Sequence, residues 1–159
     1  MDGSGGIASL VLGASTQPGF VSPVAIDANS VDGLLGVMGN TFNVTYSGLS
    51  KIRLLLPSYL GVGQSITIAS PSAPLRIDGG EAANTYTITG STELVSIYAG
   101  NGGNTFNVLG NTVAYIQSGS GADMFYVGPG VTLDGEIHYG FGGNNTLDIQ
   151  GTVTGYVGI

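Results

Sequence analysis

The chain has 159 residues, 29 of them glycine, and its 3 basic and 10 acidic residues give a formal net charge of −7. Glycine is therefore more than twice as frequent as in an average protein, and charged residues are about three times rarer. With 42 % hydrophobic residues and no cysteine, the composition excludes a disordered chain, a disulfide scaffold and a cysteine-based metal site. So few cations on an acidic chain also exclude a general nucleic-acid partner.

The first part of the chain is irregular, and the rest is a repeat. Within residues 1–38 the apolar stretches at 8–12 and 24–26 are typical of short strands. From residue 39 a five-residue motif of alternating polar and apolar positions recurs, which predicts strands with one buried face. Its copies begin at Asn40, Gln64, Asn84, Asn104, Asp123 and Asn145, at intervals of 24, 20, 20, 19 and 22 residues.

A second, shorter motif lies between these copies and also alternates. It is seen in Leu75-Arg76-Ile77, Val95-Ser96-Ile97, Ala114-Tyr115-Ile116 and, with one insertion, Gly135-Glu136-Ile137, and Ile52-Arg53-Leu54 is assigned to the same column. A glycine-rich corner follows each copy from residue 75 onward, where positive φ angles are tolerated. No apolar stripe of helical period persists, so helices are not expected.

These motifs predict an all-β chain that forms a single domain, residues 1–159, folded as a parallel β-solenoid of about seven coils. Residues 1–38 would form irregular N-terminal coils and residues 39–159 the regular repeats, with a period of about 20 residues. One interior ladder would contain Phe42, Ile66, Tyr86, Phe106, Phe125 and Leu147. The residue two positions later in each copy would form a second. The asparagine that starts each strand would bond along the stack or to the corner backbone. The alternative fold is an antiparallel β-sandwich, which does not require a fixed side-chain repeat.

The corner segment Ser118–Tyr126, Ser-Gly-Ser-Gly-Ala-Asp-Met-Phe-Tyr, resembles the haemolysin-type (RTX-like) calcium-binding repeats of large secreted or surface bacterial proteins. That resemblance implies a calcium site near Asp123, aided by the carbonyls of Gly119 and Gly121. The chain departs from the family pattern in its longer period and in placing asparagine where the other copies would carry the calcium-binding aspartate. We therefore expect no cofactor beyond weak calcium, since calcium prefers several charged oxygen ligands. The alternative is that Asp123 replaces a turn-capping asparagine.

The three basic residues, Lys51, Arg53 and Arg76, are predicted to lie together on the outer face of adjacent coils. Their column continues with Ser96, Tyr115 and Glu136. Bidentate arginine contacts and ring stacking at Tyr115 would suit an acidic sugar. The alternative is that these are ordinary solvent-facing residues paired with Asp78 or Glu93.

Two further functions are weighed. Outward threonine and asparagine pairs, such as Thr85 with Thr87, resemble the face of ice-binding solenoids, but Met124, Tyr126 and Asp148 interrupt the array. A polysaccharide lyase or epimerase would need a base, a charge neutraliser and a groove, for which Tyr115, His138 and Arg76 are the candidates. Because these three belong to different columns or distant coils, we expect a protein that is not an enzyme.

The sequence thus favours a non-enzymatic structural or adhesive module of a secreted or cell-surface protein. Like chains or flanking repeats would join it end to end, in fibres or a longer solenoid. A carbohydrate-binding module for acidic polysaccharide is the alternative. No apolar run approaches the about 18 residues of a membrane span, and no signal peptide is visible in the N-terminal sequence.

Overall fold

The computed structural model describes residues 9–13, 23–35, 41–56 and 63–159, and every regular element within them is a β-strand. The strands are β1 (Ser9–Gly13), β2 (Val24–Ile26), β3 (Ser30–Leu35), β4 (Thr41–Thr45), β5 (Lys51–Leu55), β6 (Ser65–Ala69), β7 (Leu75–Asp78), β8 (Thr85–Tyr98), β9 (Thr105–Val108), β10 (Thr112–Gln117), β11 (Met124–Val127), β12 (Thr132–His138), β13 (Thr146–Ile149), β14 (Thr152–Val153) and β15 (Val157–Gly158).

The chain winds as a parallel β-solenoid of about five turns, and each turn gives one strand to each of two sheets. Sheet A contains β1, β5, β7, the second half of β8, β10, β12, β14 and β15. Sheet B contains β4, β3, β2, β6, the first half of β8, β9, β11 and β13. The strand β8 belongs to both sheets because the backbone bends at Gly90, whose φ is 150°. The all-β parallel solenoid is confirmed, and the β-sandwich alternative is wrong.

The aromatic ladder lies in register along sheet B. Ile66 pairs with Tyr86, Tyr86 with Phe106, Phe106 with Phe125, and Phe125 with Leu147. The rings of Tyr86 and Phe106 stack at 5.2 Å between centroids, and those of Phe106 and Phe125 at 4.7 Å. Because each turn covers the apolar side chains of its neighbour, these three rings are almost completely buried.

Phe42 does not occupy its predicted place in this ladder. It lies on β4, which pairs antiparallel with β3, and its backbone partner is Leu34. The neighbour of Ile66 on the N-terminal side is Val24 of β2. The side chain of Phe42 lies outside the described part of the chain.

A turn at Asp27 explains this departure. Its carboxylate accepts hydrogen bonds from the backbone N–H groups of Asn29 at 2.9 Å and Ser30 at 2.8 Å, which reverses the chain between β2 and β3. The bond from Asn29, with that from Ser30, holds the pKa of Asp27 below its ordinary value. The first predicted copy is thereby removed from the parallel stack, and the solenoid has about five turns where about seven were predicted.

The glycine corners are stacked so closely that no side chain fits between turns. A Cβ atom on Gly119 would lie 2.6 Å from the carbonyl oxygen of Gly100 one turn away. Gly100 and Gly140 meet the backbone of the preceding turn in the same way. Glycine is needed here for close approach of two backbones.

Candidate functional site

The outer face of sheet A brings the predicted basic residues together. Arg53 pairs in register with Arg76, Arg76 with Ser96, Ser96 with Tyr115, and Tyr115 with Glu136. This is the predicted column. Strand alternation turns these side chains outward, because the residues on either side of each are buried in sheet A on β5 and β7.

Asp78 forms an ion pair with each of the two arginines. Its Oδ2 accepts from Nε of Arg53 at 2.6 Å, and its Oδ1 accepts from Nε and a terminal nitrogen of Arg76 at 2.9 and 2.6 Å. Partial burial opposes ionisation of Asp78, but the bonds from Arg76 and Arg53 outweigh it and hold its pKa below the ordinary value of 3.8. The pairing of the arginines with Asp78 was one of the two readings that the sequence left open.

A groove of about 490 Å³ opens beside these residues, and we call it the cationic groove. Its lining includes all three basic residues, Lys51, Arg53 and Arg76, with apolar walls from Val11 and Leu94. Val11 and Leu94 are 56 % and 44 % exposed, so the walls are open to solvent. Within the described residues, Lys51 forms no ion pair.

An aromatic strip continues from the groove along the stack, and we define it as Tyr98, Tyr115, His138 and Tyr156. The Arg76 guanidinium carbon lies 4.2 Å from the centroid of the Tyr98 ring, a cation–π contact. The following ring centroids are 5.6, 5.1 and 5.0 Å apart in chain order. Each ring comes from the next turn and from the alternate outward column of sheet A.

Sequence reasoning identified Tyr115 but not the rest of the strip as binding residues. Tyr98 follows Asp78 by 20 residues, and His138 follows Tyr98 by 40, so the repeat spacing could have placed both in one outward column. Tyr156 precedes the short strand β15, where the motif is too degenerate to assign a column. The sequence did not reveal that the rings of the strip come alternately from two outward columns, and this alternation is visible only once the register is known.

The three candidate catalytic residues are only partly brought together. The rings of Tyr115 and His138 are in contact, and Nε2 of His138 lies 2.7 Å from a carboxylate oxygen of Glu136. Partial burial, with the nearby Tyr98 and Glu136, raises the pKa of Tyr115, which disfavours its ionised form. Arg76 lies two strands of sheet A away from Tyr115, or about 9.6 Å at the usual strand spacing.

The predicted asparagine ladder is present at the corners of sheet B. Each side-chain Oδ1 accepts from the backbone N–H of the equivalent residue in the preceding turn, at 2.8 to 3.0 Å for the bonds made by Asn84, Asn104, Asp123 and Asn145. Nδ2 of Asn104 also donates to the carbonyls of Gly100 and Gly102. The Asn104 side chain therefore hydrogen-bonds both to the backbone of the preceding turn and to the backbone of its own corner.

Asp123 occupies one position of this ladder with a carboxylate. It is 1 % exposed, and its Oδ1 accepts from the backbone N–H of Asn104. Its Oδ2 is buried without a hydrogen-bond partner. By equivalence with Asn104, this oxygen belongs to the corner of Gly119 and Gly121. Among the described residues no group of three or more histidine, cysteine, aspartate or glutamate side chains could hold a metal ion.

The outer face of sheet B carries the predicted threonine and asparagine array only in part. One column runs through Ser65, Thr85 and Thr105, and Met124 then interrupts it. Thr41 and Asn43 do not join the array because they lie on the antiparallel strand β4. Asp148 and Tyr126 interrupt the second column as the sequence indicated.

No family model, curated protein or solved structure matches the chain. Its resemblance to haemolysin-type repeats therefore has only the motifs of the sequence behind it. Within the part of the chain that the structure describes, no helix is long and apolar enough to cross a membrane.

Proposed function

We propose that the chain is a non-enzymatic structural and adhesive β-solenoid module of a secreted or cell-surface protein, and that its repeats are degenerate relatives of haemolysin-type repeats. The observation that carries this proposal is the continuous register of both sheets over about five turns. A stack of this kind is a stiff rod whose outer face presents the same columns on every turn. That geometry suits a spacer that also displays a binding surface.

The two ends of sheet B differ, and the difference bears on how the module would join others. At the N-terminal side the antiparallel strands β3 and β4 interrupt the parallel stack. At the other side β13 pairs only with β11 in the described structure, and Leu147 and Ile149 are 38 % and 37 % exposed. Parallel addition in the same geometry is therefore available beyond β13, to a second copy or to flanking repeats.

Sedimentation velocity over a range of protein concentrations tests whether copies of the chain associate end to end. We expect the wild type to associate as concentration rises, and a Leu147→Asp, Ile149→Asp variant to stay monomeric because a charge at each apolar edge position opposes burial. Leu109→Asp is the matched control, since Leu109 is exposed but lies outside β13. A wild type that stays monomeric at all concentrations would remove association between copies from the proposal.

Incubation with acidic polysaccharides tests the absence of catalysis. A lyase that uses Tyr115 and His138 would leave unsaturated sugar ends that absorb ultraviolet light, and an epimerase would change the uronate composition. We expect neither product. Turnover that disappears in Tyr115→Phe would replace the structural proposal with an enzymatic one.

A further inference from the structure

We propose that the cationic groove and the aromatic strip together bind an acidic polysaccharide whose charge is carried by carboxylate groups. This inference rests on the proposed adhesive function and identifies the surface and the ligand class that would serve it. It depends on three observations: the gathering of the cations, the arrangement of their free donors, and the direction of the strip.

The charge distribution singles out this surface on an acidic chain. The chain has 3 basic and 10 acidic residues, and all 3 cations line one groove. Among the described residues only Asp78 is paired with any of them, so the local charge is three minus one, or +2, on a chain of net charge −7. Pairing with Asp78 accounts for the adjacency of Arg53 and Arg76 but not for Lys51, which adds a further positive charge to the same groove.

Asp78 orients the arginines without using all their donors. A guanidinium has five N–H donors, of which Asp78 takes one from Arg53 and two from Arg76. Both side chains are about half exposed, at 47 % and 48 %. Donors that Asp78 does not use thus remain on two neighbouring, half-exposed guanidinium groups, an arrangement that suits bidentate binding of a carboxylate. Lys51 adds a third positive charge at the same groove.

The aromatic strip indicates that the ligand is a polymer. From Arg76 to Tyr156 the strip crosses four steps between successive turns, which is about 19 Å at the spacing of neighbouring strands. Tyr98, Tyr115 and His138 are only partly exposed, so their rings form a continuous surface with polar edges. Aromatic faces of this kind pack against the C–H faces of sugar rings while hydroxyl groups bond at the edges. A single charged sugar bound at the arginines would leave the strip unused.

Titration calorimetry with polygalacturonate tests the proposal. We expect binding that weakens as salt rises, and a loss of about tenfold or more in Arg53→Ala, Arg76→Ala because two charge-assisted contacts disappear. Arg53→Lys, Arg76→Lys keeps the charge but removes the planar fork, so an intermediate loss is expected. Tyr126→Ala, which removes a ring from the outer face of sheet B, should bind like the wild type.

Further variants and ligands test the groove, the strip and the carboxylate preference separately. If the double arginine variant loses its circular-dichroism signature, Lys51→Ala tests the groove alone, since Lys51 makes no ion pair in the described structure; unchanged binding there would overturn the groove's role. Tyr98→Ala, Tyr115→Ala should weaken long polymers more than the monosaccharide galacturonate. Equal binding of single-stranded DNA or a sulfated polysaccharide would show an unselective polyanion surface and overturn the carboxylate assignment. Absence of polygalacturonate binding overturns the inference, whereas the proposed scaffold role is judged separately by sedimentation.

Discussion

At the scale of single residues, the buried polar positions decide how neighbouring turns are held together. Asn84 and Asn104 are buried, and each accepts a hydrogen bond from the backbone of the preceding turn. A buried backbone N–H group without a partner costs about 1–3 kcal/mol, so these side chains make close stacking of irregular corners possible. Asp123 accepts the same kind of hydrogen bond through Oδ1, but its second carboxylate oxygen, Oδ2, has no donor.

The replacement Asp123→Asn is expected to stabilise the protein. The new Nδ2 would donate to the carbonyls of Gly119 and Gly121, as Nδ2 of Asn104 does to Gly100 and Gly102. We expect the free energy of unfolding in urea to rise by about 1–3 kcal/mol. The matched control, Asn104→Asp, should lower it by a similar amount.

Calcium binding is the alternative role for Asp123. If calcium raises the melting temperature of the wild type and Asp123→Asn loses that increase, Asp123 acts as a metal ligand and its role as a substitute for asparagine is wrong. Melting curves of both proteins, with calcium and with a chelator, separate the two cases.

Asp78 makes the stability of the arginine pair depend on pH. Its folded pKa lies below the value of 3.8 expected in the unfolded chain, so its stabilising contribution is complete above that pH and is lost as pH falls through the folded pKa. The melting temperature of Asp78→Asn should therefore lie below that of the wild type near neutral pH, and the gap should close in acid. Glu93→Gln, at a residue without an ion pair in the described structure, is the matched control and should melt close to the wild type near neutral pH.

At the scale of elements, each strand is too short to be stable alone and depends on the turns beside it. The strand β9 has four residues, of which Phe106 and Val108 are buried between the corresponding residues of β8 and β11. The stacked rings of Tyr86, Phe106 and Phe125 therefore connect three turns through one column. Removal of a central ring should affect both of its neighbours.

Phe106→Ala is expected to cost about 3–5 kcal/mol, because it removes a fully buried ring and leaves a cavity between two others. Met124→Ala is the control, since Met124 begins the next strand but is 49 % exposed, and a change within about 0.5 kcal/mol is expected there. Urea unfolding of both variants measures the difference. If both variants lose the same free energy of unfolding, the buried ring contributes no more to stability than an exposed side chain does, and the ladder is not the source of stability that its burial indicates.

At the scale of the whole molecule, the two sheets differ in what they bury and in what they expose. Sheet B carries the aromatic ladder inside and an interrupted polar array outside. Sheet A carries an aliphatic interior and, outside, the cationic groove and the aromatic strip. The solenoid therefore has one distinctive outer face, on sheet A, while the edge strand β13 that would serve the proposed end-to-end joining belongs to sheet B.

The sequence by itself determined the all-β class, the parallel stack, the basic column with Tyr115 and the interior ladder from Ile66 to Phe125; Leu147 continues the ladder in register but is 38 % exposed, because no further turn covers it in the described structure. The sequence could do so because a fixed repeat brings like side chains to the same position on every turn, so spacing along the chain becomes position in space. It failed at Phe42, where local bonds at Asp27 reverse the chain and break the period.

Only the tertiary structure decided how the outer columns meet. Arg76, Tyr98, Tyr115, His138 and Tyr156 alternate between columns, and their contacts depend on side-chain directions and on the exact register of five turns. The same holds for the buried Oδ2 of Asp123, since a motif shows which residue replaces asparagine but not which neighbour its second oxygen lacks. Contacts across the stack are set by packing in three dimensions, and a linear pattern does not specify them.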